Sequence, residues 1–248
     1  MPPLRRTVNR HLAVLFPACL AMLLGGCAAS PAIPPARLAY YDSDQALTPR
    51  WYDFRDGGRA MYFEWTAPNA APKFDIFVIP GSGCTSMRYF FPAYFAGLDL
   101  PAHFLALQKR GISPDGWGDG QDCPTAFHAT DYPSRTFADQ LEFFAARRTP
   151  GRKTLIVGIS EGAETAVQLA QTLPEVSGLV LIGHAGVAPL TLYRLLLKKQ
   201  HLPPTLLDKL AQDSVADGDL LDGRSARYWR ETLALRTDDT LLALPMPV

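Results

Sequence analysis

"KTLIVGISEGAETAVQLAQTL", residues 153–173, decides how the chain folds. Residues 154–159 are a short, mostly apolar run of the kind buried on both faces of a sheet. From Glu161 the stretch reads as a helix running to Pro174, where proline stops it. Between the two sits Gly158-Ile159-Ser160-Glu161-Gly162, the pattern G-x-S-x-G. Gly and Ser are common, so the pattern says little by itself; its place at a strand-to-helix junction gives it meaning. A serine on so tight a turn has its Oγ held out above the sheet. The glycines relieve crowding where the backbone bends and the helix packs close. The backbone N–H of Glu161, at the helix start, is placed to meet a developing negative charge with help from the helix dipole. The Glu161 side chain itself reads as a first-turn carboxylate favoured by that dipole.

Working outward, "WYDFRDGGRAMYFEWT" (51–66) is two aromatic-rich runs around Arg55-Asp56-Gly57-Gly58, an antiparallel hairpin. "KFDIFVIPGSG" (73–83) holds an apolar strand over 74–79 that stops at Pro80-Gly81, and "AHFLALQKRG" (102–111) repeats the form. "SRTFADQLEFFAARR" (134–148) spaces Phe137, Leu141, Phe144 and Ala145 for a helix, with Ser134 as its cap. "VSGLVLIG" (176–183) is the next strand. Strands alternating with helices make an α/β fold with a mostly parallel sheet covered on both faces. After Gly183 the alternation stops. Residues 189–236 offer only helical segments, "LTLYRLLLKKQ", "PPTLLDKLAQD" and "SARYWRETLALR", separated by Pro203-Pro204 and by the Gly/Asp-rich "DGDLLDG". They are expected to form an inserted helical subdomain.

The 248 residues, 48% hydrophobic and 19% charged, suit a globular core; 24 Lys+Arg balance 24 Asp+Glu, which points away from a nucleic-acid partner. Arg5, Arg6 and Arg10 precede an apolar stretch that leads to Gly25-Gly26-Cys27. The apolar run is shorter than the roughly 20 residues needed to span a bilayer, so it reads as a signal peptide. Leu24-Gly25-Gly26-Cys27 resembles the lipobox of bacterial lipoproteins. That resemblance implies export, cleavage before Cys27, acylation of Cys27 and anchoring to a lipid bilayer, facing the periplasm or the cell surface. With Cys19 removed and Cys27 acylated, Cys84 and Cys123 are left in an oxidising compartment, where a disulfide between them is expected. The expected segments are a signal over 1–26, a tether over 27–50 containing the stiff "SPAIPP", a core over 51–188, a helical cap over 189–236 and a return to the core over 237–248.

From about residue 51 onward the sequence resembles the α/β-hydrolase family. "IPGSG" follows the 74–79 strand where that family has its oxyanion loop, with Pro80 in place of the usual His. Lys109-Arg110-Gly111 matches the loop after the following strand, and the Ser-Glu-Gly form of the serine turn is similar to that of secreted serine esterases and aminopeptidases. The resemblance implies Ser160 as nucleophile in acyl transfer from an ester, amide or peptide. It implies Glu161 N–H and Ser82 N–H as oxyanion donors, with Gly83 the alternative, and no cofactor.

A serine also needs a base and an orienting carboxylate. The family order is Ser, then Asp or Glu after the seventh strand, then His after the eighth. "LLALPMPV" (241–248) reads as the approach to that seventh strand, so the last strands and the triad's acid and His are expected to lie past Val248. The 248 residues are therefore expected to be inactive as they stand, a truncated enzyme or a ligand-binding pseudo-hydrolase, with 176–182 as an exposed sheet edge. Of the internal histidines, His103 starts a strand at the wrong end of the sheet, His128 lies in the loop 112–133 and His201 in the cap. His184, just after the sixth strand, is the one placed to line the pocket or act as base. Asp115, Asp119 and Asp122 lack a calcium-loop pattern and read as a solvated acidic loop rather than a metal site.

Overall fold

A computed structural model of the chain describes residues 46–66, 71–95, 97–98 and 100–248. The expected signal, Cys27 and most of the tether lie outside the described residues.

Six strands form one sheet: β1 (Arg50–Asp53), β2 (Arg59–Thr66), β3 (Phe74–Ile79), β4 (Ala102–Leu107), β5 (Lys153–Ile159) and β6 (Val176–Ile182), in the order β1-β2-β4-β3-β5-β6. β1 and β2 pair antiparallel, as do β2 and β4; β4, β3, β5 and β6 run parallel. Neighbouring side chains on a strand face opposite ways. Phe77 and Ile79 accordingly pack with Leu107, Phe143, Phe144 and Val167, while Ile76 and Val78 pack with Phe91, Phe104 and Phe127 on the other face. Burial on both sides of β3 accounts for its largely apolar sequence, interrupted by the buried Asp75, which accepts from Thr149 N–H and Arg152. Each such side chain contributes about 1.5 to 3 kcal/mol when fully removed from water.

The helices are α1 (Phe91–Tyr94), α2 (Thr125–His128), α3 (Pro133–Arg147), α4 (Glu161–Thr172), α5 (Pro189–Gln200), α6 (Thr205–Leu210), α7 (Ala226–Ala234) and α8 (Thr237–Leu242). Ser134 does not cap α3. Tyr132 holds that position, Pro133 supplies the first helical residue, and the Ser134 N–H donates to Glu231 of α7 at 2.7 Å. The loop 112–133 contains α2, which buries Phe127 completely.

The segment 189–236 forms the cap from α5, α6 and α7, but it is not wholly helical. Leu220–Leu221 (β7) and Arg224–Ser225 (β8) make a small hairpin, turned by Asp222 and Gly223, both at positive φ. Asp-Gly is a favoured pair for such a turn, a signal present in "DGDLLDG". α8 lies against α4, Leu241, Leu244 and Met246 pack on the core, and the Pro247 carbonyl accepts from Leu179 N–H at 3.1 Å on the outer side of β6. Among the described residues β6 is the sheet edge, with Val180 and Ile182 exposed.

Candidate active site

Ser160 has φ 52° and ψ −120°, a conformation that L-residues seldom adopt and that surrounding structure must hold in place. Its N–H donates to the Ile182 carbonyl at 2.7 Å, fastening the turn to β6. The two motif glycines are required by contact. A Cβ on Gly158 would lie 2.6 Å from Ala163 Cα, and one on Gly162 would lie 2.4 Å from the Ile79 carbonyl oxygen. The helix therefore seats directly on the end of β3, beside the loop that follows it.

That loop brings Ser82 to the serine. Ser82 and Ser160 line two cavities in common, one of about 320 Å³ on the core side and one of about 260 Å³ beneath the cap. Among the described residues neither Ser82 N–H nor Glu161 N–H has an intramolecular acceptor. Gly83 has φ 86°, and a Cβ there would come within 2.9 Å of the Gly118 carbonyl oxygen. The position therefore requires glycine, and its N–H, like that of Ser82, has no intramolecular acceptor among the described residues. The loop is pinned to 113–123: Cys84 N–H donates to the Gly118 carbonyl at 3.0 Å, Ser86 N–H to that of Gly116 at 2.8 Å, and Cys84 is disulfide-bonded to Cys123 as expected.

The Glu161 side chain goes beyond the sequence reading. It is a first-turn carboxylate, but one whose side chain is only 20% exposed and belongs to a largely buried charge network. Lys109 Nζ donates to Glu161 Oε1 and, at 2.8 Å, to Asp131 Oδ1; Tyr228 Oη donates to Glu161 Oε2 at 2.6 Å. Arg224 Nη1 donates to Asp131 Oδ2 at 2.6 Å and its Nη2 to Asp119 Oδ1 at 2.5 Å. Burial pushes the Glu161 carboxyl up, but the Lys109 ammonium, the Tyr228 hydroxyl and the Arg224 charge together reverse this and hold the group below its ordinary range. Burial likewise pulls Lys109 down, and the Glu161 and Asp131 carboxylates reverse this and hold it above its usual value. The Tyr228 phenol is pushed well up by burial and by the adjoining Glu161 charge. Sequence reasoning matched Lys109 only as a loop residue and missed Asp131, Arg224 and Tyr228. Contact between segments 22 to 105 residues apart leaves no local signal.

His184 lines the cap-side cavity with Ser160. Its Nδ1 accepts from Gly186 N–H at 3.1 Å, and Nε2 lies 3.3 Å from Glu164 Oε1 without hydrogen-bond alignment. A carboxylate does stand beside it, four residues beyond Ser160 on α4. The ring lone pair, however, is taken by Gly186. The other histidines are elsewhere: His103 contacts Asp75 and Glu64, His128 is buried on α2, and His201 is the exposed residue ending α5. Asp115, Asp119 and Asp122 are exposed, as a solvated loop requires; Asp115 accepts from Arg88 and Tyr89, and Asp119 from Arg224.

The chain has the α/β-hydrolase fold. A probable hydrolytic enzyme from Pseudomonas aeruginosa PAO1 is similar over 88% of this chain and 77% of its own, at 12% identity and a TM-score of 0.51. A lipase in its open form is similar over 82% of this chain and 78% of its own, at 17% identity and a TM-score of 0.49. Alpha/beta hydrolase domain-containing protein 10 from mouse gives 16% identity and a TM-score of 0.43, over 66% of this chain and 58% of that one. At such identities the likeness concerns fold alone. No protein-family model matches the chain, and no curated protein matches it.

Proposed function

We propose that the protein is a serine hydrolase acting on a small ester or amide by acyl transfer through Ser160. The observation that carries this reading is the strained Ser160 turn, set between two cavities that it lines together with Ser82, whose N–H, like that of Glu161, has no acceptor among the described residues. In the reaction Ser160 Oγ bonds to the substrate carbonyl carbon, and the carbonyl oxygen takes up negative charge against Ser82 N–H and Glu161 N–H. The bond to the alcohol or amine then breaks as that group leaves with a proton, and water later releases the acyl group. Ser160 also needs its own proton removed. His184 offers no lone pair while Gly186 holds Nδ1, so the 248 residues alone are proposed to acylate slowly and to turn over little. The same observation favours a second reading, a pseudo-hydrolase that binds a ligand in these cavities without cleaving it.

A fluorophosphonate probe separates the two. Under the first reading Ser160 is labelled slowly, imidazole supplied as an external base speeds the labelling, and Ser160→Ala abolishes it. No labelling with imidazole present would support the binding protein. Fast labelling without imidazole would overturn the proposed lack of a base, and His184→Ala would then show whether that ring supplies it. Export and anchoring through acylated Cys27 are part of the proposal and rest on the lipobox-like sequence. Incorporation of an alkyne fatty acid in a bacterial host, lost in Cys27→Ser, is the expected result.

A further inference from the structure

We propose that the outer face of α5 docks on an anionic lipid surface. Between residues 189 and 202 there are three permanent cations, Arg194, Lys198 and Lys199, and no Asp or Glu. All three are exposed, and among the described residues none has an ion-pair partner. At about 3.6 residues per turn, Arg194, Leu195, Lys198 and Lys199 share one side of the helix. Leu192, Tyr193 and Leu196 occupy the other side, where they line the cavity above Ser160. The cations are mixed with apolar surface that the described residues leave open: Leu195 is 53% exposed, and Leu202, just past the helix end, is 52% exposed.

A membrane suits this combination better than a protein partner does. Exposed leucines enter the headgroup boundary, while Lys and Arg lay their stems along the apolar surface and keep their charge at the anionic headgroups. An acidic protein would satisfy the cations without needing Leu195 and Leu202 left open. The inference does not depend on Ser160 being a nucleophile, and the test uses no hydrolytic readout.

The full chain carrying an environment-sensitive dye on Leu202→Cys is mixed with vesicles of phosphatidylcholine alone or with phosphatidylglycerol added. The unmutated chain, treated alike, gives the background from its own cysteines. A dye on Arg59→Cys, at the far end of the sheet order from the cap-bearing side, serves as the control position. The expected result is a blue shift at position 202 only with phosphatidylglycerol, reversed by about 0.5 M NaCl. Lys198→Gln with Lys199→Gln should weaken the vesicle dependence by an order of magnitude or more, at about fivefold per charge. Circular dichroism verifies that this variant is folded. No shift with phosphatidylglycerol, an equal shift with phosphatidylcholine, or an unchanged shift in the double variant overturns the proposal. So does a shift given by polyglutamate and not by vesicles, which would assign the face to an acidic protein.

Discussion

On the core side of Ser160 the cavity is lined by the 80–87 loop, which the Cys84–Cys123 disulfide ties down, by Lys109, and by the side chains of Phe90, Tyr94, Ile112 and Trp117. On the cap side it is Leu192, Tyr193, Leu196, Trp229 and Leu233, side chains from two helices that have no strand among them. The loop and Lys109 in the first wall are fixed by covalent and ionic bonds that tolerate little displacement. The second is fixed by packing of partly exposed residues and can repack. Substitutions on the core side should therefore cost stability, and those on the cap side should change what fits.

The sharpest break of that contrast is Lys109→Met. It leaves Glu161 and Asp131 short of a cation inside the protein, which typically costs about 3 to 5 kcal/mol. Urea unfolding that loses under about 1 kcal/mol would show that the network is solvated in practice. The pH dependence follows from the same shifts. Glu161 is held below its ordinary carboxyl value, so its contribution is present above pH 4.5 and is lost as pH falls through the lower folded value. Lys109 is held above 10.5, so its contribution is present below that pH and is lost as pH rises through the higher folded value. Thermal midpoints measured against pH should therefore fall below pH 4.5, and Glu161→Gln should flatten that acid limb while lowering the plateau.

Cutting the disulfide comes next. Cys84 and Cys123 are separated by 39 positions, and a cross-link across such a loop stabilises by about 4 kcal/mol on the chain-entropy account. Cys123→Ser should lose up to about that amount. Because Cys84 lies two residues from Ser82, the variant should also slow probe labelling of Ser160 more than its folded fraction explains. Gly162→Ala follows at about 2 to 3 kcal/mol, since the added carbon meets backbone, the Ile79 carbonyl, and not a movable side chain. A thermal midpoint equal to wild type would mean that α4 can lift off β3 without penalty.

The same division separates what was legible in the sequence from what was not. β3, β5 and α4 were readable because each declares itself locally, by an apolar run ended at Pro80-Gly81 or by the glycines about Ser160. The cap helices were readable as helices, yet the β7–β8 turn within them was passed over although Asp222-Gly223 is a turn pair. The Lys109 network was invisible for a different reason. Lys109, Asp131 and Glu161 come from three separate segments of the core, and the docking of the cap adds Arg224 and Tyr228 to them. A carboxylate one residue after a nucleophile looks like helix-dipole chemistry until that docking is known. Glu164 beside His184 escaped in the same way, as a pairing of a helix residue with one just past the next strand.

The smallest expected effect on stability falls on the cap wall. Leu196 is 43% exposed, so Leu196→Ala removes little buried surface and should cost less than about 1 kcal/mol. Its side chain nevertheless lines the cavity above Ser160, opposite Trp229 and Leu233. Shortening it should enlarge that cavity and shift Ser160 labelling toward fluorophosphonates with longer or branched alkyl chains, by up to about tenfold per methylene accommodated. A core-side substitution such as Thr85→Ala, in the wall that the disulfide fixes, should leave that chain-length preference where it was. If both variants changed the preference alike, one continuous pocket would accept the acyl chain, and the division of the site at Ser160 would not hold. If neither did, the chain would lie outside both cavities, and the cap would act on substrate only by covering the serine.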